Sequence, residues 1–189
     1  MKKGLLIAIG VVVLVVAIVG GSMVSTYNGL VDKQANVENK DAQIQVYLQR
    51  RADLIPNLVN TVKAYAEHEE DVYTALADAR SKLNSASNAE EYTEANESFD
   101  SALSRLLVVV ENYPELKADK NFIALQDQLE GSESRISTAR KDYNDAATDY
   151  NATIKKFPNV IFAGIFGFEK VELFEATGES QNVPSVNFD

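Results

Sequence analysis

The hydrophobic pattern of the chain changes character once, near residue 25. From Gly4 to Val24 no side chain carries a charge, and the first charge after Lys3 is Asp32. As a helix rising 1.5 Å per residue, that run covers about 30 Å, the thickness of a bilayer's hydrocarbon core. A cleaved signal peptide would share the leading Lys2-Lys3, but its apolar region runs about 7–15 residues, and Gly20, Gly21 and Ser22 make only a weak cleavage site. The pattern predicts an uncleaved transmembrane anchor over residues 1–24, followed by a domain over 25–174 and a mobile acidic tail over 175–189.

Beyond the anchor, apolar residues recur at spacings of three and four in a background rich in Ala, Leu, Glu, Lys and Gln, which predicts helix almost throughout. The clearest seam is Phe122, Leu125, Leu129, Ser132, Ile136, Ala139, Tyr143, Ala146, Tyr150 and Phe157, in which only Ser132 is polar. Gly131 costs this helix about 1 kcal/mol relative to Ala. A second seam, Tyr92, Ala95, Phe99, Ala102, Leu106, Val109 and Tyr113, stops at Tyr113-Pro114, because proline disfavours helix for the residue before it. Ahead of it, Ser85-Ala86-Ser87-Asn88 forms a polar break in which Ser87 or Asn88 can cap the next helix.

The stretch from Tyr27 to Leu83 is harder to divide. Leu30, Val37, Ile44, Arg51, Leu58, Tyr65, Val72 and Ala79 share one heptad phase, which favours a single kinked rod. Pro56 favours a break, since a proline inside a helix loses a hydrogen bond and introduces a clash. Asp53 could cap a fresh helix whose first turn accommodates Pro56. A rod of about 60 residues would reach about 90 Å, far beyond either later helix. That length argument selects two helices, roughly 25–51 and 54–85. The expected fold is all-α: an antiparallel, long-helix, four-helix bundle preceded by one transmembrane helix.

Four alternating helices return the chain toward the membrane. The segment that arrives there, Phe157-Pro158-Asn159-Val160-Ile161-Phe162-Ala163-Gly164-Ile165-Phe166-Gly167-Phe168, is unusually apolar. It either covers the end of the bundle as ordinary core or places Phe162, Phe166 and Phe168 in the membrane interface.

Composition narrows the function classes. A formal net charge of −10 over 189 residues makes nucleic acid an unfavourable partner. The chain has no cysteine, which excludes disulfides, thiolate metal sites, thiol catalysis and lipoprotein acylation. Lys2 and Lys3 oppose Lys33 and Lys40 across the anchor; the balance leans toward an inside N-terminus and a domain outside the cell membrane.

Candidate chemistry is sparse. His68 lies in Glu67-His68-Glu69-Glu70-Asp71, but Val72 occupies the place of the second His of a zinc motif, and Tyr65 the place of the Glu in a di-iron motif. Gln34, Asp41 and Glu69 fall in or beside the apolar seam, where polar residues commonly set register. Arg50, Arg51 and Asp53, with Asn57 a turn later, form a compact polar cluster at the expected helix junction. It can tie the junction together or grip a partner's carboxylate. Phosphate-binding and nucleophile-elbow motifs are absent from the sequence, so neither catalysis nor a cofactor is expected.

Several phrases together resemble the LemA family of bacterial membrane proteins. They include Tyr27-Asn28-Gly29-Leu30-Val31, the run from Gln49 to Val59 through Arg51-Ala52-Asp53-Leu54-Ile55-Pro56, and Val62-Lys63-Ala64-Tyr65-Ala66-Glu67-His68-Glu69. Tyr113-Pro114-Glu115-Leu116-Lys117, Leu129-Glu130-Gly131, Tyr143-Asn144, Tyr150-Asn151 and Phe166-Gly167-Phe168 continue it. The resemblance implies a single anchor, a helical-bundle domain, a loose association with envelope organisation and no established reaction. Three expectations follow: an anchored scaffold that binds an unidentified envelope protein, a module acting on the lipid interface, and, least supported, a metal-dependent enzyme. Long amphipathic helices also suit self-association.

Overall fold

A computed structural model describes residues 2–175, and within them the chain is helical, without strands. Six helices follow one another: α1 (Lys2–Lys63), α2 (Glu70–Ser85), α3 (Ala89–Val110), the single turn α4 (Pro114–Lys117), α5 (Lys120–Lys155) and α6 (Asn159–Phe166). Apart from Glu175, the expected tail lies outside the described residues.

The first correction concerns Pro56. It lies inside α1, which runs unbroken past the expected 51/54 junction to Lys63. Proline at this place removes one backbone bond and costs about 3 kcal/mol. Leu48, Ala52, Ile55, Leu58 and Val62 are all buried around it. Each large apolar side chain buried contributes about 1.5–3 kcal/mol, so the continuous seam outweighs the proline. The break falls instead at Ala64–Glu69. There the Tyr73 hydroxyl donates to the Ala66 carbonyl, and the Lys63 ammonium sits 4.9 Å from the centre of the Tyr73 ring. The Tyr65 hydroxyl donates to Asp119 Oδ2 at 3.1 Å. Beyond the apolar run α1 is close in length to the 36-residue α5.

The caps are where the sequence predicts them, although α3 ends at Val110, three residues before the expected stop at Tyr113. Asn88 caps α3 by accepting from the Glu91 N–H at 2.9 Å, and the Glu91 carboxylate accepts in return from the Ser87 N–H and hydroxyl. This reciprocal arrangement satisfies donors that a helix start leaves open. Pro114 begins α4 after the α3 seam ends.

The described residues divide into two compact units, one of residues 2–39 with 145–171 and the other of 40–144 with 172–175. In the second, α1, α2, α3 and α5 enclose a core that includes Ile44, Leu58, Leu76, Phe99, Leu106 and Leu129. Lys40 pairs with Asp142 at 3.5 Å and Arg51 with Glu133 at 2.5 Å, so α1 and α5 run antiparallel. Arg140 Nη2 donates to the Tyr92 carbonyl at 3.2 Å, while Asn96 meets Glu133, which makes α3 antiparallel to α5. In the first unit Leu30, Val37, Ala147, Tyr150 and Ile154 are buried, and Lys33 pairs with Asp149.

Several seam positions need correction: Tyr65 is 37% exposed and Tyr113 only half-buried. Ala147 is buried where Ala146 was expected, and Val110 where Val109 was. An ideal helix drifts about 20° per heptad against a strict seven-residue repeat, so the buried stripe moves over by one residue in long helices. Phe157 is not core but 81% exposed.

Nothing in the structure explains Gly131, which is exposed in α5 with open space where a Cβ would stand. Gly131→Ala is therefore expected to raise unfolding free energy by about 1 kcal/mol. Urea denaturation of the detergent-solubilised full chain would measure this; a loss of stability would show that the position needs glycine.

Candidate functional site

The most concentrated polar chemistry in the 40–144 unit surrounds Arg51, which is only 2% exposed. Its heptad phase carries it into the apolar seam of α1, and three residues of α3 and one of α5 receive it. Nη1 donates to Asn96 Oδ1 and to Glu133 Oε2, the latter at 2.5 Å, and Nη2 donates to Asp100 Oδ1 at 2.6 Å. Asn96 Nδ2 in turn lies 3.3 Å from both Asp100 Oδ2 and Glu133 Oε2. The guanidinium carbon stands 4.3 Å from the centre of the Phe99 ring, a cation–π contact. Arg51 is thus held by two carboxylates, an amide and an aromatic face. Only its Nε lacks a partner.

Burial pushes the Asp100 carboxyl above its ordinary value; the Arg51 charge opposes this and the Glu133 charge adds to it. An open groove of about 420 Å³ beside the cluster is lined by Leu103, Leu107, Leu129 and Gln126 together with Arg51 and Glu133.

The structure separates the residues that the sequence grouped at a junction. Arg51 turns inward, whereas Arg50, Asp53 and Asn57 are exposed on α1. Asp53 accepts from Gln49 Nε2 at 2.9 Å, and the Asn57 carbonyl accepts from the Thr61 hydroxyl. Because α1 continues through them, these residues tie no helix junction together. They form one exposed stripe at helical spacing, extended one turn back by the exposed Val46.

His68 is exposed in the turn between α1 and α2. Among the described residues, no group of three or more His, Asp or Glu side chains could hold a metal ion. Asp41 accepts from Gln45 and Gln34 donates to Glu38, both within α1. The Glu69 carbonyl accepts the Val72 and Tyr73 N–H groups in the first turn of α2.

The apolar segment after α5 is arranged around Tyr27. The Phe166 and Phe168 rings lie 4.8 and 5.7 Å from the Tyr27 ring, both edge-on. Gly167 makes this possible: at φ 75° it takes the left-handed conformation that ends α6, and the Phe168 N–H reaches back to the Ala163 carbonyl at 3.0 Å. Phe162 is half-buried. Only part of this segment covers a core: Val160, Ile161 and Ile165 remain exposed.

Sequence reasoning missed two asparagines. Asn151 Nδ2 donates to the Val171 carbonyl at 2.8 Å, and its Oδ1 accepts the Val171 N–H at 2.9 Å. Asn144 makes the same double contact with Phe174, both bonds at 2.9 Å. The repeated Tyr-Asn pair, Tyr143-Asn144 and Tyr150-Asn151, is the signal that could have found them.

Two variants test the Arg51 cluster. Arg51→Ala leaves Asp100 and Glu133 facing each other uncompensated and should cost about 2–4 kcal/mol in urea denaturation. That is below a fully buried pair because both carboxylates keep part of their surface in water. Asp100 has a raised folded pKa, so its contribution is complete below its ordinary value of about 4 and declines as pH rises through the folded value. The stability difference between the native chain and Asp100→Asn should therefore shift in favour of the variant as pH rises from about 4, read from denaturation midpoints.

Comparison with known proteins gives one consistent result. The family model described as "LemA family" matches residues 40–188. The chain is similar to Magnetosome protein MamQ 2 of Paramagnetospirillum magneticum, 28% identical over 180 residues covering 82% of this chain and 66% of that protein. It is 27% identical to Magnetosome protein MamQ of Magnetospirillum gryphiswaldense, over 90% of this chain and 71% of the relative. With Protein LemA of Metamycoplasma hominis it shares 25% identity over 79% and 69% of the two chains. It thus spans just under two thirds of the first relative's length. A matched span beginning within α1 and running through every later helix shows that the chain belongs to the LemA family.

Proposed function

We propose that this protein is an envelope scaffold without catalytic activity, anchored by the apolar part of α1 and binding another envelope protein through its helical domain. The observation that carries the reading is the exposed α1 stripe of Val46, Arg50, Asp53 and Asn57, on the helix that begins with the apolar run. Val46 is 65% exposed beside charged and amide side chains. Guanidinium, carboxylate and amide groups aligned on one exposed helix face offer a partner directional hydrogen bonds around that side chain. By contrast, the strongest charges inside the 40–144 unit are spent on one another around Arg51, in keeping with a structural use of ionisable groups. The magnetosome relatives are named for a cellular structure and not for a reaction, which supports an organising role. The lysine balance across the anchor supports a domain outside the cell membrane.

A photo-crosslinking residue at Val46, Arg50 or Asn57, in cells making the full chain, should yield a discrete adduct with one envelope protein. The same residue at Asn84, exposed on α2, should not. Arg50→Glu should reduce the Val46 adduct at least threefold without changing the amount of protein. Equal adducts at all four positions, or none at the stripe, would sink the reading.

A further inference from the structure

α6 is more apolar and more exposed than a helix facing water normally is. Of its eight residues, Asn159–Phe166, only Asn159 is strongly polar and only Ala163 is buried. Val160, Ile161, Ile165 and Phe166 are 47%, 51%, 62% and 39% exposed, and Phe157, just ahead of the helix, is 81% exposed. Scattered apolar side chains are ordinary on a protein surface, but a contiguous group of this kind marks a contact. Ile161 and Ile165 are four residues apart and share one side of the helix.

The position of α6 selects the occupant. Its C-terminal rings pack on Tyr27, which lies three residues beyond Val24 at the end of the uncharged run. Three residues of helix advance about 4.5 Å, so a membrane-spanning α1 sets Tyr27 at headgroup depth, where tyrosine is characteristically enriched. Phe166 and Phe168 share that depth through contact. Charge points the same way. Lys155 and Lys156 are exposed immediately before Phe157, in a chain whose net charge is −10, while beyond Phe168 the exposed Glu169 and Lys170 offset each other. A local basic concentration beside an apolar helix is complementary to anionic headgroups.

We infer that α6 is a second membrane contact, lying in the interface of the bilayer that α1 spans. Ile161 and Ile165 enter the acyl boundary, and Lys155 and Lys156 meet phosphate headgroups. This rests on α1 being inserted and adds lipid itself as a binding partner of the domain. The anchor prevents departure from the membrane, so the contact needs little intrinsic affinity: tethering supplies a high local concentration of lipid. What it adds is a defined depth for the segment.

The native chain has no cysteine, so single substitutions can be labelled without background. Full-length protein carrying Ile161→Cys, Ile165→Cys, Val13→Cys or Ser87→Cys, each bearing an environment-sensitive fluorophore, would be reconstituted in phosphatidylcholine vesicles containing phosphatidylglycerol. The Ile161 and Ile165 probes should be quenched by lipids spin-labelled near the headgroup and be at least fivefold less accessible to iodide than the Ser87 probe. Reversing Lys155 and Lys156 to Glu should weaken that lipid quenching in anionic vesicles and have little effect in pure phosphatidylcholine.

With Val13 shielded by lipid and Ile165 open to iodide, the inference fails while the anchor stands. Iodide access at Val13 would overturn both. Shielding of Ile165 without lipid quenching would assign α6 to a protein contact and overturn the lipid assignment. An unchanged signal after charge reversal would overturn the headgroup contact. None of these outcomes depends on whether the α1 stripe finds a protein partner.

Discussion

A guanidinium inside an apolar seam is the constraint around which the 40–144 unit is organised. Taking a charge out of water costs several kcal/mol, and only well-placed counter-charges with further hydrogen bonds repay it. Arg51 obtains those from α3 and α5 together: Asn96, Phe99 and Asp100 from one helix and Glu133 from the other. Apolar residues at heptad spacing tolerate a slip along the helix axis, because one Leu replaces another. A charge does not. Sliding α5 by a heptad against α1 would withdraw Glu133 and put an uncompensated arginine in the core. The cluster thus distinguishes one helix register from the alternatives that the leucine and alanine pattern alone would accept.

The sequence made the helices legible wherever a local cause determines them. Asn88 and Pro114 act on their own neighbours, and the structure places helix starts at both. The end of α1 has no such cause. Ala64-Tyr65-Ala66-Glu67-His68-Glu69 contains neither Gly nor Pro, and the chain turns there because side chains such as Tyr73 and Asp119 hold the turn from outside it. Pro56 misled for the complementary reason: its local penalty is real but smaller than the burial on either side. The Arg51 cluster was half legible. Heptad phase put the arginine in the seam, yet its neighbours in sequence, Arg50 and Asp53, suggested a surface feature. Its true partners lie 45 to 82 residues away, on helices whose alignment no local pattern gives.

The Phe166-Gly167-Phe168 phrase shows how a short motif gains meaning from one backbone angle. Two phenylalanines flanking a residue in ordinary helix would point in different directions. With Gly167 left-handed, both rings reach the same tyrosine on α1. Any side chain at that φ would be strained, so the motif depends on its smallest member. The exposed face of α6 was equally visible in the sequence as hydrophobicity. What composition lacked was its depth relative to the apolar run of α1, which the Tyr27 contact supplies.

The asparagine contacts of α5 carry a different kind of consequence. Asn151 grips the N–H and carbonyl of Val171, and Asn144 those of Phe174. Both recognise peptide groups that any residue other than proline possesses. The bonds themselves are therefore indifferent to side-chain identity at the two gripped positions. Phe174 adds a second hold that does read the letter, stacking on Tyr92 and meeting Tyr143 edge-on, so a substitution there would keep its backbone grip and lose its aromatic one.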